Sequence, residues 1–205
     1  MRTATIAWAA ASAAALGLGV AAVAPMLGGS DAFADCRGGQ VAGGDLGGPF
    51  TLVDAGGATV TDAEVFTAPS ILYFGYTYCP DVCPLDAARN AEATRLLEER
   101  GILATPVMVS IDPARDTPEV MGRFAANFHE RMVGLTGSEA QVADAARAWR
   151  VYSARQEGDP LDYLVDHSAF SYLVMPGTGF VDVVSRDEPP EAVADRLACF
   201  VEAAA

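Results

Sequence analysis

The 205 residues suffice for one domain with a sizeable core and a short appendage. With 51% apolar residues the chain is excluded from the disordered class over most of its length. Thirteen Arg, no Lys and 27 acids leave a charge of −14, which repels nucleic acid and anionic lipid and favours basic partners or cations.

The N-terminus holds much of the apolar content. After Arg2 no charge occurs from Thr3 to Ser30, a stretch long enough to cross a bilayer about 30 Å thick. Ala32-Phe33-Ala34 follows and fits a signal-peptidase site. Residues 1–30 therefore read as a signal anchor or a cleaved signal peptide, and the length of the apolar run favours the anchor. Asp35 stands where a lipoprotein cysteine at position 36 would need a small residue, so the expected attachment is the helix and not a lipid. Residues 31–48, with GGQVAGGDLGG at 38–48, read as a Gly-rich linker. The folded domain is expected over 49–205 and outside the cytoplasm.

FTLVDAGGATVTD forms two alternating segments around Gly56-Gly57 and predicts a β-hairpin. ILYFGY at 71–76 is a continuous apolar run, the pattern of a strand covered on both faces. Pro84 to Arg100 predicts a helix with Leu85, Ala88, Leu96 and Leu97 along one side, ended by Gly101. TPVMVSID at 105–112 is a second buried strand. Thr117 caps the next helix, with Pro118 in its first position. Ser138 and Gln141 form a capping box before a helix that runs to Trp149. SYLVM and FVDVVS pair through Pro176-Gly177, and a last helix runs from Pro190 to Phe200. Parallel strands joined by crossover helices and closed by a hairpin and a helix predict an α/β thioredoxin-like sandwich: a central mixed sheet flanked by helices, with an N-terminal β-hairpin.

Cys79 and Cys83 fall where the central strand ends and the first crossover helix begins, the place where open α/β sheets gather ligands. Helix N–H groups and the helix dipole favour thiolate there. Three residues between the cysteines, where a tight redox turn has two, leave a disulfide feasible and give two thiolates freedom to splay around a soft ion such as Cu(I) or zinc. Two ligands hold a metal poorly, and the chain offers two histidines as a third. His129 in RFAANFHERM reads as an exposed helical residue. His167, in a polar turn before an apolar strand, reads as a structural histidine or as the third ligand, and Asp166 beside it, as a group that would orient its ring, favours the ligand. Two sulfurs and one imidazole suit copper as Cu(I) or Cu(II).

YFGYTYCPDVCP, VSIDPARDTPE and VDHS, in this order and spacing, resemble the Sco/SenC copper-chaperone family from about Phe50 to the C-terminus. The resemblance implies a thioredoxin-like domain on the periplasmic side of a bacterial inner membrane. It implies Cys79, Cys83 and His167 as copper ligands, and maturation of the dinuclear copper centre of cytochrome c oxidase subunit II as the task. A periplasmic copper donor would be the other partner. Where many relatives carry Asp-Pro this chain has Met175-Pro176; Met175 is expected to pack in the hairpin, a thioether near the metal being the alternative.

In an exported chain with four cysteines, Cys36 and Cys199 are candidates for a structural disulfide, an unpaired buried Cys199 being the alternative. The competing function is a thiol–disulfide reductase in which Cys79 and Cys83 are the catalytic pair and His167 is dispensable. A peroxidase on a similar sandwich is disfavoured by the paired cysteines, and a chaperone is expected not to be an enzyme. Asp112, Arg115 and Asp116 are expected to order a loop, and Trp149 and Tyr152 to lie in the core.

Overall fold

The computed structural model describes residues 32–38, 46–159 and 162–205. Residues 35–205 form one compact unit. The expected signal anchor, residues 1–30, and residues 31 and 39–45 of the linker lie outside the described residues. Among the described residues no helix is long and apolar enough to cross a membrane.

The sheet has seven strands: β1 Thr51–Asp54, β2 Thr59–Thr61, β3 Ser70–Gly75, β4 Thr105–Ser110, β5 Val133–Thr136, β8 Ser171–Met175 and β9 Gly179–Val184. Their order is β2-β1-β5-β4-β3-β8-β9. Two further strands, β6 Ser153–Arg155 and β7 Val165–His167, form a separate antiparallel ribbon. The helices are α1 Asp62–Val65, α2 Val82–Glu99, α3 Pro118–Ala126, α4 Glu139–Ala148 and α5 Pro190–Ala203. β3 pairs in parallel with β4 and β4 with β5, while the β1–β2 and β8–β9 hairpins join antiparallel on the two sides. The mixed thioredoxin-like sandwich expected from the sequence is present.

Every residue of β3 is buried, as its unbroken apolar run requires. The β3 ladder to β4 on one side and to β8 on the other makes it an interior strand of the sheet. The helix signals act where the sequence puts them. The Thr117 hydroxyl accepts from the Val120 N–H with Pro118 in first position, and Ser138 with Gln141 closes a capping box. Gly101, at φ 78°, ends the α2 segment in a conformation that a side chain would strain.

Three expectations need correction. α2 begins at Val82, and its buried stripe is Cys83, Asp86, Ala87, Asn90, Ala91, Ala93, Thr94 and Leu97. Leu85 and Ala88 face solvent, since the stripe is set by the residues that follow Cys83 at helical spacing. β5, absent from the expected element order, is a four-residue strand whose Gly134 lets α3 approach: a Cβ there would meet the Met121 carbonyl oxygen at 2.6 Å. Trp149 is buried, but Tyr152 is 62% exposed, and its backbone instead holds Ser168 through two hydrogen bonds.

α5 packs beside α2. Cys199 of α5 is bonded to Cys36, the Cα atoms lying 5.6 Å apart, so the pairing expected from the cysteine count is present. The segment after Cys36 runs along β9, where Arg37 Nε donates to the Val181 carbonyl and Gly38 N–H to the Asp182 carboxylate.

Candidate metal and dithiol site

β3 delivers the chain to the site at Gly75. The loop that follows is fixed by Asp116, which is fully buried and accepts from the Thr77 N–H at 3.1 Å, the Thr77 hydroxyl at 2.6 Å and the Ser110 hydroxyl at 2.7 Å. Arg115, paired with Asp112 at 2.6 Å, stacks on the Tyr78 and Tyr163 rings at 4.7 and 3.6 Å. The Asp112–Asp116 segment thus orders the loop that carries Cys79, as the sequence suggested.

Cys79 lies in this loop and Cys83 is the second residue of α2. Pro84 fits the first helical turn because the N–H it lacks would have no intrahelical acceptor. The spacing of four places the Cys79 sulfur over the helix start, where it accepts from the Cys83 N–H at 3.4 Å. Burial pushes the Cys79 thiol up, but the N–H groups of Cys83, Asp81 and Val82 outweigh it, and the net shift is downward. Cys83 is fully buried, and desolvation pushes it up to about 12 despite hydrogen bonds from Tyr73 and the Tyr76 backbone. One sulfur is a partly exposed incipient thiolate; the other is an enclosed thiol.

His167 closes the site from the β6–β7 ribbon. Its Nε2 lies 3.4 Å from Cys83 Sγ, and the ligand atoms of Cys79, Cys83 and His167 all lie within 4.8 Å of one another. Nδ1 faces the Ser168 carbonyl at 2.9 Å, so it carries the proton and leaves the Nε2 lone pair toward the sulfurs. Burial lowers the His167 pKa and keeps the ring neutral. The Val165 N–H donates to the Tyr76 hydroxyl at 3.2 Å and ties the ribbon to the loop after β3. Tyr73 and Tyr76 meet the imidazole edge-on, at 6.1 and 5.9 Å.

Asp166 does not orient the ring. Successive residues of a strand point to opposite faces, and Asp166 is exposed, accepting from Gln156 Nε2 at 2.7 Å. His129 is neither exposed nor helical: it follows α3, is 8% exposed, and accepts the Arg131 N–H on Nδ1 with Nε2 3.6 Å from Glu98. Glu98 is near the far end of α2, ~22 Å from Cys83 at 1.5 Å per residue. Met175 is buried beyond the Ser70 end of β3, opposite the site, and packs as the hairpin expectation has it.

Sequence reasoning missed the layer beneath the sulfurs. The Tyr73 hydroxyl lies 3.5 Å from Cys83 Sγ. Asp86 is buried one turn after Cys83 and 3.5 Å from Arg89, which donates to Ser171 Oγ at 2.7 Å and the Ser185 carbonyl at 2.9 Å. Desolvation raises the Asp86 carboxyl. The three-residue step from Cys83 to Asp86 was the available signal, because it puts both on one helix face. A cleft of about 300 Å³, lined by Cys79, Val82, Leu164, Asp166, His167 and Arg186, opens the site to solvent.

A mixed sheet of this order, with two thiols at the carboxyl end of its central strand, defines a dithiol protein of the thioredoxin-like class. Known proteins narrow the class. The family described as SCO1/SenC matches residues 39–202, and the chain belongs to it. It is 52% identical to Protein SenC of Rhodobacter capsulatus over 85% of this chain and 79% of that one. It is 38% identical to Protein SCO1 homolog 1 of Arabidopsis thaliana over 73% of this chain, and covers 45% of that longer protein. The crystal structure of Arabidopsis thaliana ScoI with copper bound superposes with a TM-score of 0.73 at 36% identity, covering 77% of this chain and 99% of that one.

Proposed function

We propose that the chain is a copper-binding chaperone that delivers copper to, or prepares, the dinuclear copper centre of cytochrome c oxidase subunit II. Cys79, Cys83 and His167 are the copper ligands in this reading. The observation that carries it is the meeting of two sulfurs and the Nε2 lone pair within 4.8 Å, the imidazole coming from a ribbon 84 residues beyond Cys83. Two thiolates and an imidazole suit copper in either oxidation state. Three ligands beside an open cleft leave the ion accessible to a partner, which a carrier needs and a four-ligand structural site would prevent. The copper-bound ScoI relative supports the same cargo. The chain works on the periplasmic side of a bacterial inner membrane, held by its N-terminal segment and loaded by a periplasmic copper donor. Its acidic balance suits basic docking surfaces.

The opposed thiol states favour one further reading, a thiol–disulfide reductase for the cysteines of the same oxidase site. A partly exposed Cys79 held toward thiolate is placed to attack a disulfide, with the enclosed Cys83 as the resolving thiol. His167 separates the two. A chaperone binds one copper per chain and loses it in His167→Ala, whereas a reductase keeps its thiol exchange in that variant. Wild-type copper stoichiometry in His167→Ala would remove the imidazole from the ligand set.

A further inference from the structure

Tyr73 lies on the central strand and is 1% exposed, yet its hydroxyl faces a sulfur, Cys83 Sγ, at 3.5 Å. Two features hold it there. β3 is laddered to β4 and β8 on both sides, with Tyr73 opposite Met108 and Ser171, so its backbone has no freedom to withdraw. Gly75, two residues on and therefore on the same face, supplies the space: a Cβ there would lie 2.6 Å from Tyr73 Cε1 and 3.0 Å from Cys83 Sγ. The sulfur thus has the phenol on one side and His167 Nε2, at 3.4 Å, on the other.

We propose that Tyr73 is a positioning residue of the site, whose hydroxyl donates to Cys83 Sγ, aims that sulfur at His167 and draws electron density from it. The inference rests on the copper reading for its spectroscopic consequence. A hydrogen bond to a ligating thiolate lowers the donor strength of the sulfur, and the levels of a copper–thiolate bond respond to hydrogen bonding at that sulfur. The same bond has a consequence without metal. When the Cys79–Cys83 pair is oxidised, the partly exposed Cys79 sulfur is the accessible point of attack, Cys83 being fully buried. A dithiothreitol thiolate bonds to it, the S–S bond breaks, and the electron pair leaves on Cys83 Sγ. The second dithiothreitol thiol then displaces Cys79, giving the reduced protein and cyclic oxidised dithiothreitol. Tyr73 stabilises the departing Cys83 thiolate, and a better-stabilised leaving thiolate departs faster.

The test compares the wild-type chain with Tyr73→Phe, which keeps the ring and removes only the hydroxyl. In the Cu(II)-loaded protein the sulfur-to-copper charge-transfer band should move to lower energy with copper stoichiometry unchanged. In the metal-free oxidised protein, cleavage by dithiothreitol should slow about tenfold, the size of one hydrogen bond to a charged group. Gly75→Ala, which displaces the ring from the sulfur, should shift the band in the same direction as Tyr73→Phe. An unshifted band in copper-loaded Tyr73→Phe overturns the proposal. If the wild-type chain binds no copper, the copper reading fails by itself and the cleavage rate decides. An unchanged rate overturns the role of Tyr73, and a slower one upholds it.

Discussion

Cys79 and Cys83 are four residues apart and their thiol pKa values are displaced in opposite directions, because one sulfur collects helix N–H groups and the other is sealed beneath the loop. With Cys83 as a ligand, as proposed, copper binding has to expel its proton at any pH below about 12. The sign follows from mass action: the lower the proton concentration, the less it competes with the metal. Cu(I) affinity should tighten about tenfold per pH unit through the neutral range for this proton alone, each unit being worth about 1.4 kcal/mol. Competition with a calibrated Cu(I) chelator at several pH values measures it, and a flat profile would mean that Cys83 is not a ligand. His167 adds no slope above its ordinary range, since burial keeps it neutral. The cysteines are legible in the sequence because residue type and spacing mark them, and His167 because it is one of two histidines and lies in the VDHS segment that carries the family resemblance. Their setting is not. Nothing local says that Tyr73 faces Cys83, or that Ser168 and not Asp166 holds the imidazole; those facts depend on which face of β3 and β7 each side chain takes.

At the scale of elements, the segments that the sequence defines well are those stabilised by local chemistry. β3 is marked by its six-residue apolar run, and α3 and α4 by caps that satisfy their own N–H groups. The strands it leaves out are β5, β6 and β7, each of three or four residues and held by partners elsewhere in the chain. β5 pairs with both β1 and β4, and its Gly134 weakens any strand signal while admitting α3. The phase of α2 departs from the expected one for a related reason: apart from Leu97 its buried face is made of small and polar residues, so apolar periodicity points to Leu85, on the solvent side. The α3–β5 contact gives a direct prediction. Gly134→Ala should lower stability by about 1–3 kcal/mol, because a methyl there meets helix backbone and not a movable side chain. A shift in the urea midpoint at constant slope measures it, and an unchanged midpoint would show that α3 is free to slide. The copper spectrum should not change, since neither element carries a ligand.

For the molecule as a whole, two ties hold the chain's ends and its site in place. The Cys36–Cys199 bridge spans a sequence separation of 163 and joins the start of the linker segment to the last helix. Loop-closure entropy gives such a bridge about 5 kcal/mol, so Cys199→Ser should lose a large part of that in denaturant unfolding while retaining copper. Equal stability of the reduced and oxidised proteins would refute the bridge's role. The second tie is the ribbon that returns His167 to the sulfurs through Tyr76 and Tyr152. It brings a third candidate ligand to the dithiol, as the proposed copper site requires. X-ray absorption of the copper-loaded protein tests this most directly. The spectrum should show two sulfur scatterers and one imidazole per copper in the wild type, with copper lost from His167→Ala. A wild-type copper environment of sulfur alone, with copper retained in the variant, would contradict it.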